Sequence, residues 1–252
     1  MSIVFQFRRK NAFRFAFLVA MTLLATASVS SARMVKRRPS SLPQVITACT
    51  KSKTVALTFD DGPYIYAYDV AKALDAVGAK GTFFLNGDNY VNIYDPDPRK
   101  TAKYLFDKGH QIASHTWSHP HLIKLNRNQI VDEFKKIDDA IYEILKVRPA
   151  FMRPPYGEYN DLVLSVAQER GQRVVTWDFD TKDSIGATPA DSKKAIDKIA
   201  RNPPKNILML MHETIETTVH QVLPHAIQVL KNAGYSFVTV ADCLGLPAYQ
   251  KI

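Results

Sequence analysis

Two adjacent carboxylates, Asp60 and Asp61, are the first residues whose types and spacing suggest chemistry. They come directly after an apolar run at residues 55–57 and before Gly62, so they are predicted at the carboxyl end of a buried strand as it enters a loop. Two like charges in such a poorly solvated position repel each other, so we expect a cation or an arginine between them. Asp-Asp-Gly is also a common turn sequence, so this segment alone does not distinguish a site from a turn.

Two histidines, His115 and His119, lie four residues apart and just before Pro120. On a helical turn this spacing directs both imidazoles the same way. Together with one carboxylate they form a set of two histidines and one aspartate, which leaves a coordination position open for water and suits catalytic zinc. The alternative is an incidental pair of histidines. Of their neighbours, we interpret His110 as structural and His121 as a surface or supporting residue.

An arginine followed by two prolines opens the segment Arg-Pro-Pro-Tyr-Gly at residues 153–157. Because proline has no N–H group, the N–H of Tyr156 is the next backbone donor that this rigid loop offers to a site. Arg153 supplies the fixed positive charge that Asp60 and Asp61 require. The alternative is a simple strand exit that carries a surface arginine.

A second set of acids and a third histidine follow later in the chain. Residues 177–183 combine aromatic residues with Asp178, Asp180 and Asp183, and His212 ends an apolar run before Glu213. A histidine beside a carboxylate forms a strong general acid at neutral pH. The alternative for His212 is a hydrogen-bonded core residue.

These residues depend on strands and helices that alternate along the chain. Strands are predicted at residues 54–60, 81–87, 110–115, 150–153, 172–178, 206–211 and 235–240. Helices are predicted at residues 69–77, 100–108, 161–170, 189–200 and 221–231, with a long amphipathic helix capped by Asn126. Alternation of this kind favours an α/β fold with a parallel sheet of about seven strands, either a closed or distorted β/α barrel or an open doubly wound sheet.

In a parallel sheet, the carboxyl ends of the strands lie at one rim. Five predicted strands end in ionisable groups: Asp60 and Asp61; His115 and His119; Arg153; Asp178, Asp180 and Asp183; and His212. Functional groups of β/α barrels gather at this rim. The sequence therefore predicts one site built from segments that are far apart in the chain.

Composition and charge indicate a globular protein without a nucleic-acid role. The chain has 252 residues, 46% of them hydrophobic, and a net charge of +9. Four of the excess positive charges lie in residues 1–32 and four more in residues 33–38, and removing these eight leaves +1. A nearly neutral domain gives little electrostatic support for binding nucleic acid.

The first 50 residues are predicted to precede the domain. Residues 1–32 combine a basic start, an apolar core too short to span a bilayer, and small residues at the end, which is the layout of a secretory signal peptide. The alternative is an uncleaved membrane anchor. We interpret residues 33–50 as a flexible basic segment and residues 51–252 as the catalytic domain, secreted and without a stable membrane anchor.

The two cysteines, Cys49 and Cys243, lie just before the first predicted strand and near the end of the chain. In an oxidising compartment a bridge between them would join the two ends of the domain. The alternative is two unpaired buried thiols.

Taken together, these motifs resemble the polysaccharide deacetylases of the NodB-homology type, and most closely the fungal chitin deacetylases. The resemblance covers residues 54–240 and includes, in order, Thr-Phe-Asp-Asp-Gly, His-Thr-x-x-His, Arg-Pro-Pro-Tyr-Gly, the Asp-rich segment at 177–183, and Leu-x-Leu-x-His. The resemblance implies a distorted (β/α) barrel, which decides between the barrel and the open sheet.

The resemblance also implies a role for individual residues. Asp61, His115 and His119 would bind a divalent metal, most often Zn²⁺, with Co²⁺ as another candidate. The implied catalytic residues are the general base Asp60, held by Arg153; the general acid His212, oriented by Asp183; and Tyr156, whose backbone N–H binds the oxyanion. Leu210 and Trp177, with Tyr156, would line the acetyl pocket. Ser184 stands where the family usually has tryptophan, which affects substrate preference more than the reaction.

The reaction that follows is hydrolysis of N-acetyl groups from N-acetylglucosamine units of chitin or chitin oligomers by a monomeric enzyme outside the cell or at the cell wall. Within enzymes, the rivals are an acetyl-xylan esterase and a peptidoglycan deacetylase. A different class of protein, a secreted sugar-binding protein without turnover, would have lost a ligand, the base or the acid, and none of these is lost here.

Overall fold

The computed structural model describes residues 44–251, all of which belong to one compact unit, Pro39–Ile252. The predicted signal peptide at residues 1–32 and residues 33–43 of the predicted flexible segment lie outside the described residues. Among the residues described, there is no helix with the length and apolar character needed to span a membrane.

In the part of the chain that the structure describes, eight parallel strands form a single curved sheet. They are β1 (Thr54–Gly62), β2 (Thr82–Leu85), β3 (Gln111–Ser114), β4 (Phe151–Met152), β5 (Arg173–Val174), β6 (Phe179–Asp180), β7 (Ile207–His212) and β8 (Ser236–Val238). The order across the sheet is β5-β4-β3-β2-β1-β7-β6, with β8 also paired to β1. The edge strands β5 and β6 follow each other in the chain with only residues 175–178 between them. Because four residues span a short distance, the sheet must curl until its edges approach each other.

This geometry confirms the distorted barrel, and it explains one difference from the predicted strands. Residues 172–178 were predicted as one strand, but the ladder with β4 ends at Val174 because the chain then crosses from one edge of the sheet to the other. It pairs again as β6, against Met209 and Leu210 of β7. This short strand raises the number from about seven to eight.

Helices pack around the outside of the sheet and alternate with the strands. They are α1 (Ala67–Asp75), α2 (Pro96–Asp107), α3 (Arg127–Leu145), α4 (Asp161–Glu169), α5 (Pro189–Arg201), α6 (Leu223–Asn232) and α7 (Val240–Leu244). Asn126 caps α3 as predicted, accepting a hydrogen bond from the backbone N–H of Gln129. Helix α2 begins four residues before the predicted start because Pro96 fits the first turn, where its missing N–H costs nothing.

Both faces of the central strand β1 are buried, which explains its continuous apolar run. Val55, Leu57 and Phe59 face the main core between sheet and helices. Ala56 faces the barrel interior together with Phe84 and other apolar residues. The sheet is therefore a rigid support for whatever its strand ends carry.

The prediction that residues 33–50 are flexible is wrong for the part that the structure describes. The N–H of Ile46 donates to the carbonyl of Val174 (2.9 Å), and Ile46 forms a parallel bridge with Val175. Cys49 is buried and forms the predicted disulfide with Cys243, with a Cα–Cα distance of 5.3 Å. This stretch packs against the domain because it pairs beside the free edge of β5 and carries the bridge.

Candidate active site

A cavity of about 570 Å³ opens at the carboxyl ends of the strands. It is lined by Asp60, Asp61, Asn89, Tyr90, His115, His119, Pro154, Tyr156, Gly157, Trp177, Asp180, Ser184, Ile185, Leu210 and His212. Residues from β1, β6, β7 and the loops after β2, β3, β4, β5 and β6 therefore meet at one rim. The loop after β2 was not among the predicted contributors.

Asp61, His115 and His119 each direct one ligand atom to the same point. The three ligand atoms all lie within 4.8 Å of one another. Asp61 Oδ1 lies 3.3 Å from Nε2 of His119 and 3.6 Å from Nε2 of His115. Tetrahedral zinc with bonds of about 2.0–2.2 Å places its ligand atoms roughly 3.3–3.5 Å apart. Asp61 Oδ1 is also buried and has no hydrogen-bond partner among residues 44–251, so the three residues fit a metal ion.

The chain reaches this arrangement through left-handed backbone conformations at three non-glycine residues. The φ angles are 73° at Asp61, 72° at Thr116 and 56° at His119. L-residues rarely adopt such backbone conformations. These persist where the surrounding structure holds them, often at functional sites. The side-chain amide of Asn86 holds the segment after β3 in place, because it donates hydrogen bonds to the carbonyls of His115 and Thr116.

The protonation states of the two histidines suit metal binding. Nδ1 of His115 lies 2.7 Å from the carbonyl of Arg153, which can only accept, so Nδ1 carries the proton and Nε2 presents its lone pair. Burial lowers the pKa of His119 to about 3. Burial also raises the pKa of Asp61, partly offset by His115 and His212. A cation at this point would compensate for that burial.

Asp60 and Arg153 form an ion pair beneath the cavity. Arg153 is fully buried, and one of its terminal nitrogens donates to Oδ1 of Asp60 (2.8 Å) and to the hydroxyl of Thr58 (2.7 Å). Its other terminal nitrogen donates to the carbonyl of Thr176, and its guanidinium lies 4.2 Å from the ring centre of Phe84. Arg153 thus supplies the positive charge that the sequence required beside the two aspartates.

His212 and Asp183 form a second pair, and His212 lies beside Asp60 on the neighbouring strand β7. Nδ1 of His212 lies 2.8 Å from Oδ1 of Asp183, whose other oxygen accepts the backbone N–H of His212 (2.9 Å) and the hydroxyl of Thr218 (2.8 Å). Burial opposes a charged imidazole, but the hydrogen bond and charge of Asp183 outweigh it and raise the pKa of His212 to about 9. The ring is therefore protonated at neutral pH.

The predicted acetyl-pocket residues line the same cavity, and the position that lacks the family's tryptophan lies in its wall. Leu210 and Trp177 line the cavity with Tyr156, which adopts a φ of 61° and is 54% exposed. Ser184 is followed there by Ile185, one of the most exposed large apolar residues of the described chain.

Some predictions for the rim need correction, and some residues were missed. Asp178 does not line the cavity, because its Oδ1 accepts the backbone N–H of Leu208 (2.7 Å) within the sheet. Of the neighbouring histidines, His110 is structural as predicted, since its Nδ1 accepts the N–H of Gly81. His121 pairs with Glu158 (2.8 Å), and its ring stacks on that of Tyr156 with 4.1 Å between the ring centres.

The residues missed by sequence reasoning lie in loops or behind the rim. Asn89 and Tyr90 line the cavity from the loop after β2. In the sequence, the indication for these residues was an aromatic residue beyond a strand end, which is weak evidence for a site. Glu213 was noted only as the neighbour of His212, yet it is fully buried, and burial raises its pKa to about 8.

The barrel and its rim of buried carboxylates and histidines define a hydrolase with a site that can hold a divalent metal. Residues 47–175 match the family model described as polysaccharide deacetylase. The chain is 37% identical to a chitin deacetylase of Pestalotiopsis sp. over 227 residues, which is 87% of this chain and 74% of that protein. The protein therefore belongs to the polysaccharide deacetylase family.

Two other relatives carry further information. A solved chitin deacetylase of Colletotrichum lindemuthianum superposes with a TM-score of 0.79 at 28% identity, covering 83% of this chain and 96% of that one. A protein of Arthroderma benhamiae named as a probable peptidoglycan-N-acetylglucosamine deacetylase is 39% identical over 81% of this chain. This chain spans about half of that relative, 47% of its length.

Proposed function

We propose that the protein hydrolyses N-acetyl groups of N-acetylglucosamine units in chitin or chitin oligomers and releases acetate. The observation that carries this proposal is that three groups of side chains meet at one cavity. These are the Asp61–His115–His119 cluster, the Asp60–Arg153 pair and the His212–Asp183 pair. Relatives named chitin deacetylase, alike in sequence and in fold, support chitin as the substrate.

Asp61, His115 and His119 are proposed to hold Zn²⁺, with Co²⁺ as an alternative. Two neutral imidazoles and one carboxylate are a donor set typical of catalytic zinc, and they leave a position for water. When bound, the ion supplies polarisation of the amide carbonyl and lowers the pKa of water toward about 7.

The remaining chemistry falls to the side chains of this chain. Asp60 takes a proton from the attacking water, and Arg153 keeps this base ionised and oriented. His212 is protonated at neutral pH and gives its proton to the departing nitrogen, with Asp183 holding the ring. The backbone N–H of Tyr156 stabilises the oxyanion. The C–N bond breaks, and the products are acetate and a free amine.

Leu210 and Trp177 are proposed to hold the acetyl methyl group, since both line the cavity beside the base and the acid. Ser184 leaves that wall less filled than a tryptophan would. Substitution of this wall would therefore change preference among acyl groups or sugars rather than the reaction itself.

Peptidoglycan is the second candidate substrate, because one relative is named as a probable deacetylase of its N-acetylglucosamine. An acetyl-xylan esterase would use the same groups on an easier bond. A sugar-binding protein without turnover is not favoured, because ligands, base and acid are all present in one cavity.

We also infer that the enzyme acts outside the cell or at the cell wall as a monomer, without a stable membrane anchor and without a nucleic-acid partner. The Cys49–Cys243 disulfide supports an oxidising compartment. The signal-peptide layout of residues 1–32 supports the same conclusion.

Acetate release from a panel of chitin oligomers, peptidoglycan and acetylated xylan, with and without a chelator, tests this proposal. We expect release from chitin oligomers that stops on chelation and returns with Zn²⁺. Faster release from peptidoglycan or xylan would reassign the substrate. No release from any of them by zinc-loaded protein would favour the sugar-binding alternative.

A further inference from the structure

Glu213 is a fully buried carboxyl group for which the reaction described above has no use. It follows His212 at the end of β7, but its side chain reaches across to the loop after β1. There its Oε1 accepts the backbone N–H of Tyr64 (2.8 Å). Its other oxygen, Oε2, is buried and has no hydrogen-bond partner in the described part of the chain. Burying an acid with so few hydrogen bonds costs free energy that its other contacts must offset.

The carboxyl group of Glu213 also packs against Gly62. A Cβ added at Gly62 would lie 2.0 Å from Oε1 and 2.5 Å from Cδ of Glu213. The backbone of Gly62 is not in the left-handed region, so the backbone conformation at this position does not require a glycine. It is required because the carboxyl group of Glu213 packs directly on its Cα. Glu213 thus fixes both ends of the Gly62–Pro63–Tyr64 turn.

That turn directly follows Asp61, the residue whose conformation most needs support. Asp61 has a φ of 73°, and the register between β1 and β2 shifts between Asp60 and Gly62. On the β2 side, the carbonyl of Gly62 accepts the N–H of Asn86 (2.8 Å). On the β7 side, Glu213 provides the matching support. The bulge that aims Asp61 at the two histidines is therefore held from both neighbouring strands.

We propose that Glu213 is a positioning residue for Asp61, and that its contacts with Gly62 and Tyr64 set the metal affinity of the site. The inference rests on the proposed function to the extent that the cluster binds metal. Supporting residues behind metal ligands typically change metal affinity by about 10- to 100-fold. Because the support is a hydrogen-bond acceptor of fixed length, glutamine can replace it and an apolar residue cannot.

The experiment measures Zn²⁺ affinity of the purified protein by competition with a chromophoric chelator, and it needs no substrate. The variants are Glu213→Leu, which removes the acceptor, and Glu213→Gln, which keeps an oxygen for Tyr64. Glu216→Leu is the matched control, since Glu216 is an exposed acid three residues further along the chain. We expect Glu213→Leu to weaken binding at least about tenfold, and the other two to stay within about threefold.

A double-mutant cycle tests the same contact without depending on Glu213→Leu. Gly62→Ala should weaken Zn²⁺ binding in the parent, where its methyl group meets Glu213, and far less in Glu213→Ala, where that group is absent. Circular dichroism of the metal-free variants establishes that each one is folded. If Glu213→Leu does not fold, the cycle alone decides.

Three outcomes would overturn the inference. These are parental Zn²⁺ affinity in Glu213→Leu, equal losses in Glu213→Gln and Glu213→Leu, and additive losses in the cycle. Failure of the parent protein to bind Zn²⁺ is a different result, because it removes the proposed function itself. Since affinity is measured on the parent first, the two failures are distinguishable.

Discussion

Replacing Asp183 with asparagine should convert His212 from a protonated to a neutral residue at working pH. Asp183 accepts a hydrogen bond from Nδ1 of His212 (2.8 Å) and is the largest contributor that raises the pKa of the ring to about 9. An ordinary histidine has a pKa of about 6.5, and the difference corresponds to about 3 kcal/mol. Because burial alone lowers the pKa of His212, we expect the variant to titrate below 6.5.

The size of the effect on activity follows from the protonated fraction. At pH 8 a group with a pKa of 9 is about 90% protonated, and one with a pKa of 6.5 is about 3% protonated. Loss of the general acid form alone therefore reduces turnover roughly thirtyfold at pH 8, and disorder of the ring adds to this. The alkaline limb of the pH–rate profile should move from near pH 9 to below pH 7.

The free energy of unfolding should also depend on pH, because the folded pKa values of His212 and Asp183 differ from the unfolded ones. The folded pKa of His212 lies above its unfolded value, so the contribution of its charge is complete below about pH 6.5 and is lost as the pH rises through about 9. The pair with His212 lowers the pKa of Asp183, so the contribution of the carboxylate is complete above about pH 4 and is lost in stronger acid. The difference in free energy of unfolding between the parent and Asp183→Asn should therefore be largest between about pH 4 and pH 6.5 and shrink on both sides of that range.

The assay is acetate release from chitin oligomers between pH 5 and 10, together with NMR titration of His212. Thr218→Val is the control, because it removes one hydrogen bond to Asp183 but leaves the carboxylate on His212. Its profile should stay close to that of the parent. An Asp183→Asn enzyme with an unshifted alkaline limb and near-parental turnover at pH 8 would refute this reasoning.

Three further predictions concern the base, its partner and the disulfide. Asp60→Asn should keep Zn²⁺ affinity and lose about 10²- to 10⁴-fold in turnover, and a fully active variant would end the mechanism. Arg153→Met leaves Asp60 buried and unpaired, so urea unfolding should show a loss of about 3–5 kcal/mol; a loss below about 1 would contradict it. Replacing Cys49 and Cys243 with serine opens a loop of 194 residues, and should lower the free energy of unfolding by up to about 5 kcal/mol. Equal unfolding midpoints would show that the bridge contributes nothing.

Much of the candidate site could be predicted from the sequence because it follows from local pattern and topology. Apolar runs mark strands, and the carboxyl ends of parallel strands share a rim. These two facts bring Asp61, His115 and His212 together in the prediction, and the structure places all three in one cavity. The positive charge beside Asp60 and Asp61 was also required by electrostatics before its position was known.

Other features depended on contacts between segments that no local pattern links. Asp178 and Asp180 lie two residues apart, yet only Asp180 lines the cavity, because Asp178 faces the backbone of β7 where the chain crosses between the sheet edges. The extra strand β6 has the same origin, since its pairing exists only when the sheet has curled.

Glu213 shows the limit most clearly. The sequence determined that this chain carries two histidines and an aspartate at strand ends, because residue type and periodicity are local properties. Only the tertiary structure decided that Glu213 packs on Gly62, a residue 151 positions earlier in the chain, with Oε1 2.0 Å from where a Cβ would be. The physical reason is that close packing selects one neighbour for each buried side chain, and that choice depends on how the strands pair.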